Sequence, residues 1–173
     1  MNLEQVARDA GYTRGALYHQ FRDKEALALA VVAWVDETWR EEVGALAGEL
    51  ADPVAALISV ARGHAVFCRR DIARVRMALR AEFGDEAHPI RREVDRVSNT
   101  LIERCARLVT AGRRNGSIPA GPPATTVAHA LLGALEGTVI AVAGRGPHDE
   151  LLAARAVAGV LGILAPADIT PRS

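Results

Sequence analysis

The chain has 173 residues, half of them hydrophobic, with 21 basic against 21 acidic side chains. That is one domain, or one with a small appended module, and it can bury about 70% of its unfolded surface without a disulfide or a metal. An ordinary charged share and aperiodic glycine and proline exclude disorder and collagen, and a net charge of zero leaves any nucleic-acid site to a local patch.

Ala, Leu, Arg and Glu dominate, aromatics are scarce and strand-like alternation is nearly absent, so the sequence predicts an all-α fold. Asp52-Pro53, His88-Pro89 and Gly146-Pro147 each place proline where a first helical residue belongs. Helices are expected near 3–10, 14–21, 24–49, 53–69, 72–83, 89–114, 123–144 and 147–164. Residues 115–123 form a loop, and the tail after Pro166 is expected to fray.

The first stretch carries the chemistry. Asn2 can cap a helix with Gln5 three residues on, and Leu3, Val6, Ala7 and Ala10 form its inner face. Gly11 ends it in a tight turn. Thr13 caps a second short helix whose inner face is Ala16, Leu17 and Phe21. Two short helices joined through a glycine turn, with small Ala7 at their crossing, describe a helix-turn-helix. The outer face of the second helix presents Arg14, Gly15, Tyr18, His19 and Arg22: donors, an aromatic tip and one bare backbone position, suited to phosphates and base edges. Asp23 caps a long helix opening with Lys24, the only lysine in the chain, where free N–H groups and a cation could hold a phosphate. The bland alternative is a helical hairpin with solvated charges. Arg8, Arg14, Arg22 and Lys24 are balanced locally by Glu4, Asp9, Asp23 and Glu25.

The string Val-Ala-Arg-Asp-Ala-Gly-Tyr-Thr-Arg-Gly-Ala-Leu-Tyr-His-Gln-Phe-Arg-Asp-Lys-Glu-Ala-Leu, residues 6–27, resembles the TetR-type bacterial transcriptional regulators. Cap, glycine, Leu-Tyr-His-x-Phe and Lys-Glu-x-Leu fall at the family's spacing. By position the resemblance implies that Thr13, Tyr18 and Lys24 hold the DNA backbone and that Arg14, Gly15 and His19 face the groove. It also implies a homodimer and a small-molecule effector pocket. Family members carry a further helix before the position of Asn2, which covers the open side of the motif. Without it Leu3, Val6, Leu17, Phe21 and Leu27 would be under-covered, each at about 1.5–3 kcal/mol. A misplaced start, a cut chain or a form that has lost DNA binding would explain its absence; the retained residues favour the first.

Residues 30–115 read as helices with apolar stripes: Ile72, Val75, Leu79 and Phe83, then Ile90, Val94, Val97, Leu101, Cys105, Leu108 and Gly112. Trp34, Thr38, His64, Cys68, Met77, Thr100 and Leu101 are the candidate lining of an effector pocket, although for each alone a packing role is the simpler account. The arginines from Arg69 to Arg114 alternate with acids and read as a solvated, salt-bridged face. His64 and Cys68, four apart, share a helix face, and with Cys105 they could serve a metal or redox sensor. No Cys-x-x-Cys or His-x-x-x-His reinforces that, and no metal or cofactor is expected. Nor is an enzyme, since Gly-x-Ser-x-Gly, a phosphate-cradling glycine loop and a carboxylate pair near a nucleophile are all missing.

Residues 123–144 hold one charged residue, Glu136. The stretch nearly has the length of a membrane span, but Thr125, Thr126, His129 and Glu136 interrupt it and no positive flank orients it. A helix apolar on all sides is otherwise buried by more than its own chain. Leu132, Gly133, Glu136, Gly137 and Ile140, with Ala156, Gly159, Val160 and Ile163 of the last helix, are therefore assigned to an intermolecular four-helix bundle.

The resulting expectation is a ligand-responsive repressor, binding a palindromic double-stranded operator as a homodimer. Residues 1–29 form its DNA-binding region and 30–173 its effector and dimerisation domain. It is expected to be cytoplasmic, because only two cysteines, Cys68 and Cys105, and no signal-like N-terminus fit a reducing compartment. The alternative is a dimeric small-molecule-binding module that has lost DNA binding with its first helix.

Overall fold

The computed structural model describes residues 23–70, 75, 78–79, 81–142 and 148–164. Every regular element among the described residues is helical. In chain order these are α1 (Lys24–Trp39), a π-helical turn (Arg40–Gly44), α2 (Ala45–Gly48), α3 (Pro53–Phe67), α4 (Pro89–Arg114), α5 (Ala124–Val142) and α6 (His148–Leu161). The chain forms two compact units. One comprises Met1–Thr38 and Arg70–Ser98, the other Trp39–Arg69 and Asn99–Ser173.

Local chemistry explains the helix ends. The Asp23 carboxylate accepts from the Ala26 N–H at 2.8 Å, and Asp52 accepts from the Ala55 N–H at 2.8 Å with Pro53 next in line. Each cap satisfies a donor that the first turn leaves open. At the other end of α4, Gly116 adopts φ +81°, and the Ile118 N–H returns to the Gly112 carbonyl at 3.0 Å. Gly162 closes α6 in the same way with φ +69°, letting the Ile163 N–H reach the Ala158 carbonyl at 3.0 Å. Left-handed residues at these positions satisfy the last carbonyls and favour glycine.

The first unit has its own core. Ala28 and Val32 of α1 pack with Val75, Leu79, Ile90, Val94 and Val97, all buried, and Phe83 lies against them. Of the stripes read from the sequence, Val75, Leu79, Phe83, Ile90, Val94 and Val97 belong to this core, whereas Leu101, Cys105 and Leu108 belong to that of the second unit; Ile72 lies outside the described residues.

In the second unit α6 packs against both α3 and α5. Leu57, Val60 and Ala61 of α3 meet Leu101, Ile102, Cys105 and Val109 of α4, Leu131 and Leu135 of α5, and Val157 and Leu161 of α6. Fully burying each larger aliphatic here contributes about 1.5–3 kcal/mol. The continuous helix expected over 24–49 is interrupted at Arg40–Gly44. There the Arg104 guanidinium, from α4, donates to the Gly44 carbonyl at 2.6 Å. A Cβ on Gly63 would stand 2.8 Å from Val43 Cγ1, so only glycine in α3 admits the turn this closely.

Candidate functional site

Of the six residues assigned to DNA, Thr13, Arg14, Gly15, Tyr18 and His19 lie outside the described residues, as does the side chain of Lys24. The structure does describe the frame that would present Lys24: it opens α1, directly after the Asp23 cap.

The candidate pocket residues have separate fates. In the first unit, Trp34 is 47% exposed, and the Thr38 hydroxyl is turned back onto the Trp34 carbonyl at 2.8 Å. Met77 lies outside the described residues. In the second unit, Thr100 is exposed, whereas His64 and Leu101 are buried and Cys68 is half-buried. Leu101 joins Leu57, Val60, Ile102, Cys105, Leu131 and Leu135 around an apolar void of about 10 Å³, room for no more than about one water.

A second cavity in this unit, about 290 Å³, is lined by Glu42, Val43, Gly63, Val66, Phe67, Arg69 and Glu150. Its polar wall is a buried ionic cluster. Arg69 donates from Nε to Asp149 Oδ2 at 2.9 Å and from Nη2 to Asp149 Oδ1 at 2.7 Å and Glu150 Oε1 at 2.7 Å. Asp149 and Glu150 are 4% and 2% exposed, and the Arg62 guanidinium stands 3.7 Å from Glu150 Oε2. The fork to Asp149 is the bidentate geometry that suits arginine. Hydrogen bonding from Arg69 holds the Asp149 carboxyl below its usual range despite burial, and the same bond raises the Arg69 guanidinium further.

This cluster corrects the reading of Arg69–Arg114 as one solvated face. Arg91–Asp95 and Arg96–Glu93 are such surface pairs, at 2.8 and 2.6 Å, but Arg69 and Arg104 are internal ties. The sequence offered one signal, the adjacent acids at 149 and 150, which read equally well as the favourable first turn of a helix.

His64 and Cys68 do share a face. The Trp39 indole N–H donates to His64 Nδ1 at 3.1 Å, and Cys68 Sγ lies 3.4 Å from Nε2. Among the described residues, no group of three His, Cys, Asp or Glu side chains is arranged to hold a metal.

The residues assigned to the subunit contact lie on α5 and α6. Val127, Ala128, Leu131, Leu135 and Val139 bury one side of α5 within the chain. Gly133, Gly137 and Ile140 fall on another side at helical spacing. Ile140 is 59% exposed, and among the described residues nothing approaches within 4 Å of a Cβ built on either glycine. On α6, Gly159 is open in the same sense, Leu152 is exposed and Ala156 and Val160 are half-buried, as are Leu132 and Glu136 of α5 and Ile163 just past the end of α6. By length and composition Ala124–Val142 could also cross a membrane, as a core helix of a soluble protein can.

Residues 1–31 match the model of the bacterial regulatory proteins, tetR family. The resemblance read from residues 6–27 is borne out. No curated protein matches the chain. Among solved structures, the fold is similar to that of SCO4454, a TetR-family transcriptional regulator from Streptomyces coelicolor, at TM-score 0.72 and 22% identity over 94% of this chain and 84% of that one. It is similar to AibR in complex with isovaleryl coenzyme A and operator DNA, at TM-score 0.67 and 19% identity over 96% and 88%. FadR from Bacillus subtilis in complex with stearoyl-CoA matches at TM-score 0.68 and 18% identity over 98% and 89%. At these identities the likeness establishes the fold, an all-α one shared with TetR-family regulators.

Proposed function

We propose that the protein is a ligand-responsive transcriptional repressor that binds a palindromic operator as a homodimer. The observation that carries this reading is the match of residues 1–31 to the tetR-family model. In this reading Arg14, Gly15 and His19 face the major groove, and Thr13, Tyr18 and Lys24 hold the backbone. Lys24 is the first residue of α1, where, in this reading, helix N–H groups and its cation would meet one phosphate. The open faces of Gly133, Gly137 and Gly159 and the exposed Ile140 support a bundle contact between two copies of α5 and α6.

The effector is placed in the second unit. FadR with stearoyl-CoA and AibR with isovaleryl coenzyme A favour an acyl-CoA or another apolar-tailed molecule. Its tail would enter among Leu57, Leu101, Cys105 and Leu131, widening a void of about 10 Å³. A ligand that prefers the DNA-free state must bind more weakly once operator is present. The protein acts by binding, without catalysis, in the cytoplasm.

Selection of duplexes from a random pool, with titration of the winner and a scrambled control at several salt concentrations, tests this. Lys24→Ala should weaken both duplexes alike and flatten the salt slope by about one unit. Arg14→Ala should relax preference at one base pair per half-site, a loss of about 1–3 kcal/mol of discrimination. Unchanged affinities in both variants would refute DNA recognition by this segment.

A further inference from the structure

The protein has two thiols in opposite surroundings. Cys105 is buried on the inner side of α4, where loss of solvent pushes its thiol up to about 11. Cys68 is half-buried at the C-terminal cap of α3, with its sulfur 3.4 Å from His64 Nε2.

The imidazole's other nitrogen fixes the direction of that contact. An indole N–H can only donate, and Trp39 Nε1 lies 3.1 Å from His64 Nδ1. Nδ1 is therefore the acceptor, and a neutral ring carries its hydrogen on Nε2. The chain of donation runs Trp39 to His64 to Cys68. The ring is held for this: His64 is 5% exposed and Trp39 meets it edge-on, ring centres 6.3 Å apart. An N–H aimed at sulfur stabilises the negative charge that makes a thiol nucleophilic. The carbonyl end of α3 opposes that charge, and the donor from His64 counters that opposition.

We propose that Cys68 is a site of covalent modification by soft carbon electrophiles of the α,β-unsaturated carbonyl class, with His64 as its activating donor and Trp39 as the residue that positions His64. The sulfur lone pair forms an S–C bond at the β-carbon, and the C=C π pair moves to the α-carbon. That carbon takes a proton from water as the thiol proton is lost to water. Nothing leaves, and no oxidant is needed.

The test is N-ethylmaleimide labelling of the full chain at pH 7, read peptide by peptide by mass spectrometry. Cys68 should react at least tenfold faster than Cys105. His64→Phe should slow Cys68 at least fivefold, and His64→Gln, whose amide can still donate, should restore part of the loss. Trp39→Phe, which frees the ring proton to move to Nδ1, should slow it at least twofold. Thermal melting identifies a variant that has unfolded. Should His64→Phe do so, both cysteines would label equally, and the Trp39→Phe rate then decides. Equal rates for Cys68 and Cys105 in the wild type would overturn the proposal. So would a folded His64→Phe, or in its default a folded Trp39→Phe, that labels Cys68 as fast as wild type.

Discussion

The α5–α6 layer has two sides that solve the same problem differently. Its inner side is closed by the chain itself: Leu131, Leu135 and Val157 pack among α3 and α4, and the acids at 149 and 150 are held by Arg69. Its outer side leaves Ile140 and Leu152 exposed, and none of the described residues lies within 4 Å of a Cβ built on Gly133, Gly137 or Gly159. The inner side can tolerate two buried carboxylates because an arginine reaches them. The outer side keeps apolar surface in water, which the proposed contact between two copies would cover. The same small, apolar residue types thus build a core on one side and an exposed face on the other.

Breaking the inner side should have the largest effect. Arg69→Ala leaves Asp149 and Glu150 buried without their main partner, and losing one member of a buried ion pair costs about 3–5 kcal/mol. Urea unfolding at pH 7 should show a midpoint lowered accordingly. The pH dependence carries a definite sign. Asp149 is held below its usual range in the folded chain, so its contribution is complete above the ordinary carboxylate pKa of about 3.9 and is lost as pH falls below that toward the folded value. Wild type should lose this stability in acid, and Arg69→Ala should lose correspondingly less.

On the outer side, Gly137→Arg should weaken self-association at least a hundredfold, about 2.7 kcal/mol, measured by sedimentation equilibrium. Gly137→Ala sharpens the contrast. In an isolated protomer it should stabilise α5 by up to about 1 kcal/mol, because no neighbour obstructs the methyl and alanine is the better helix former. In a dimer packed at this glycine it should instead weaken association. The smallest effect is expected at the exposed surface, where Glu93→Gln breaks an i,i+3 pair with Arg96 for less than about 1 kcal/mol.

Much of this was legible in the sequence wherever the cause is local. The caps at Asp23 and Asp52, the limits of α4 at Pro89 and Arg114 and the apolar stripes each depend on a few neighbouring residues. The recognition string at 6–27 was legible for the same reason, since it is short and contiguous. What escaped depends on distance along the chain. Arg69 meets Asp149 across 80 residues, Arg104 meets Gly44 across 60, and Trp39 meets His64 across 25. Nothing at residues 40–44 announces a π turn, because the contacts that accompany it come from Gly63 and Arg104. A packing unit assembled from residues 1–38 and 70–98 likewise has no linear signature. The candidate pocket was drawn from soft and polar residues near stripes. That rule cannot separate Trp34, which faces outward, from His64, which lies within.

The most direct measurement is sedimentation velocity of the protein mixed with its selected duplex, at fixed salt and micromolar concentration. The account predicts a complex of two protomers per operator that dissociates to free DNA when Lys24→Ala and Arg14→Ala are combined. A chain that stays monomeric, or one that sediments equally with operator and scrambled duplex, would contradict it.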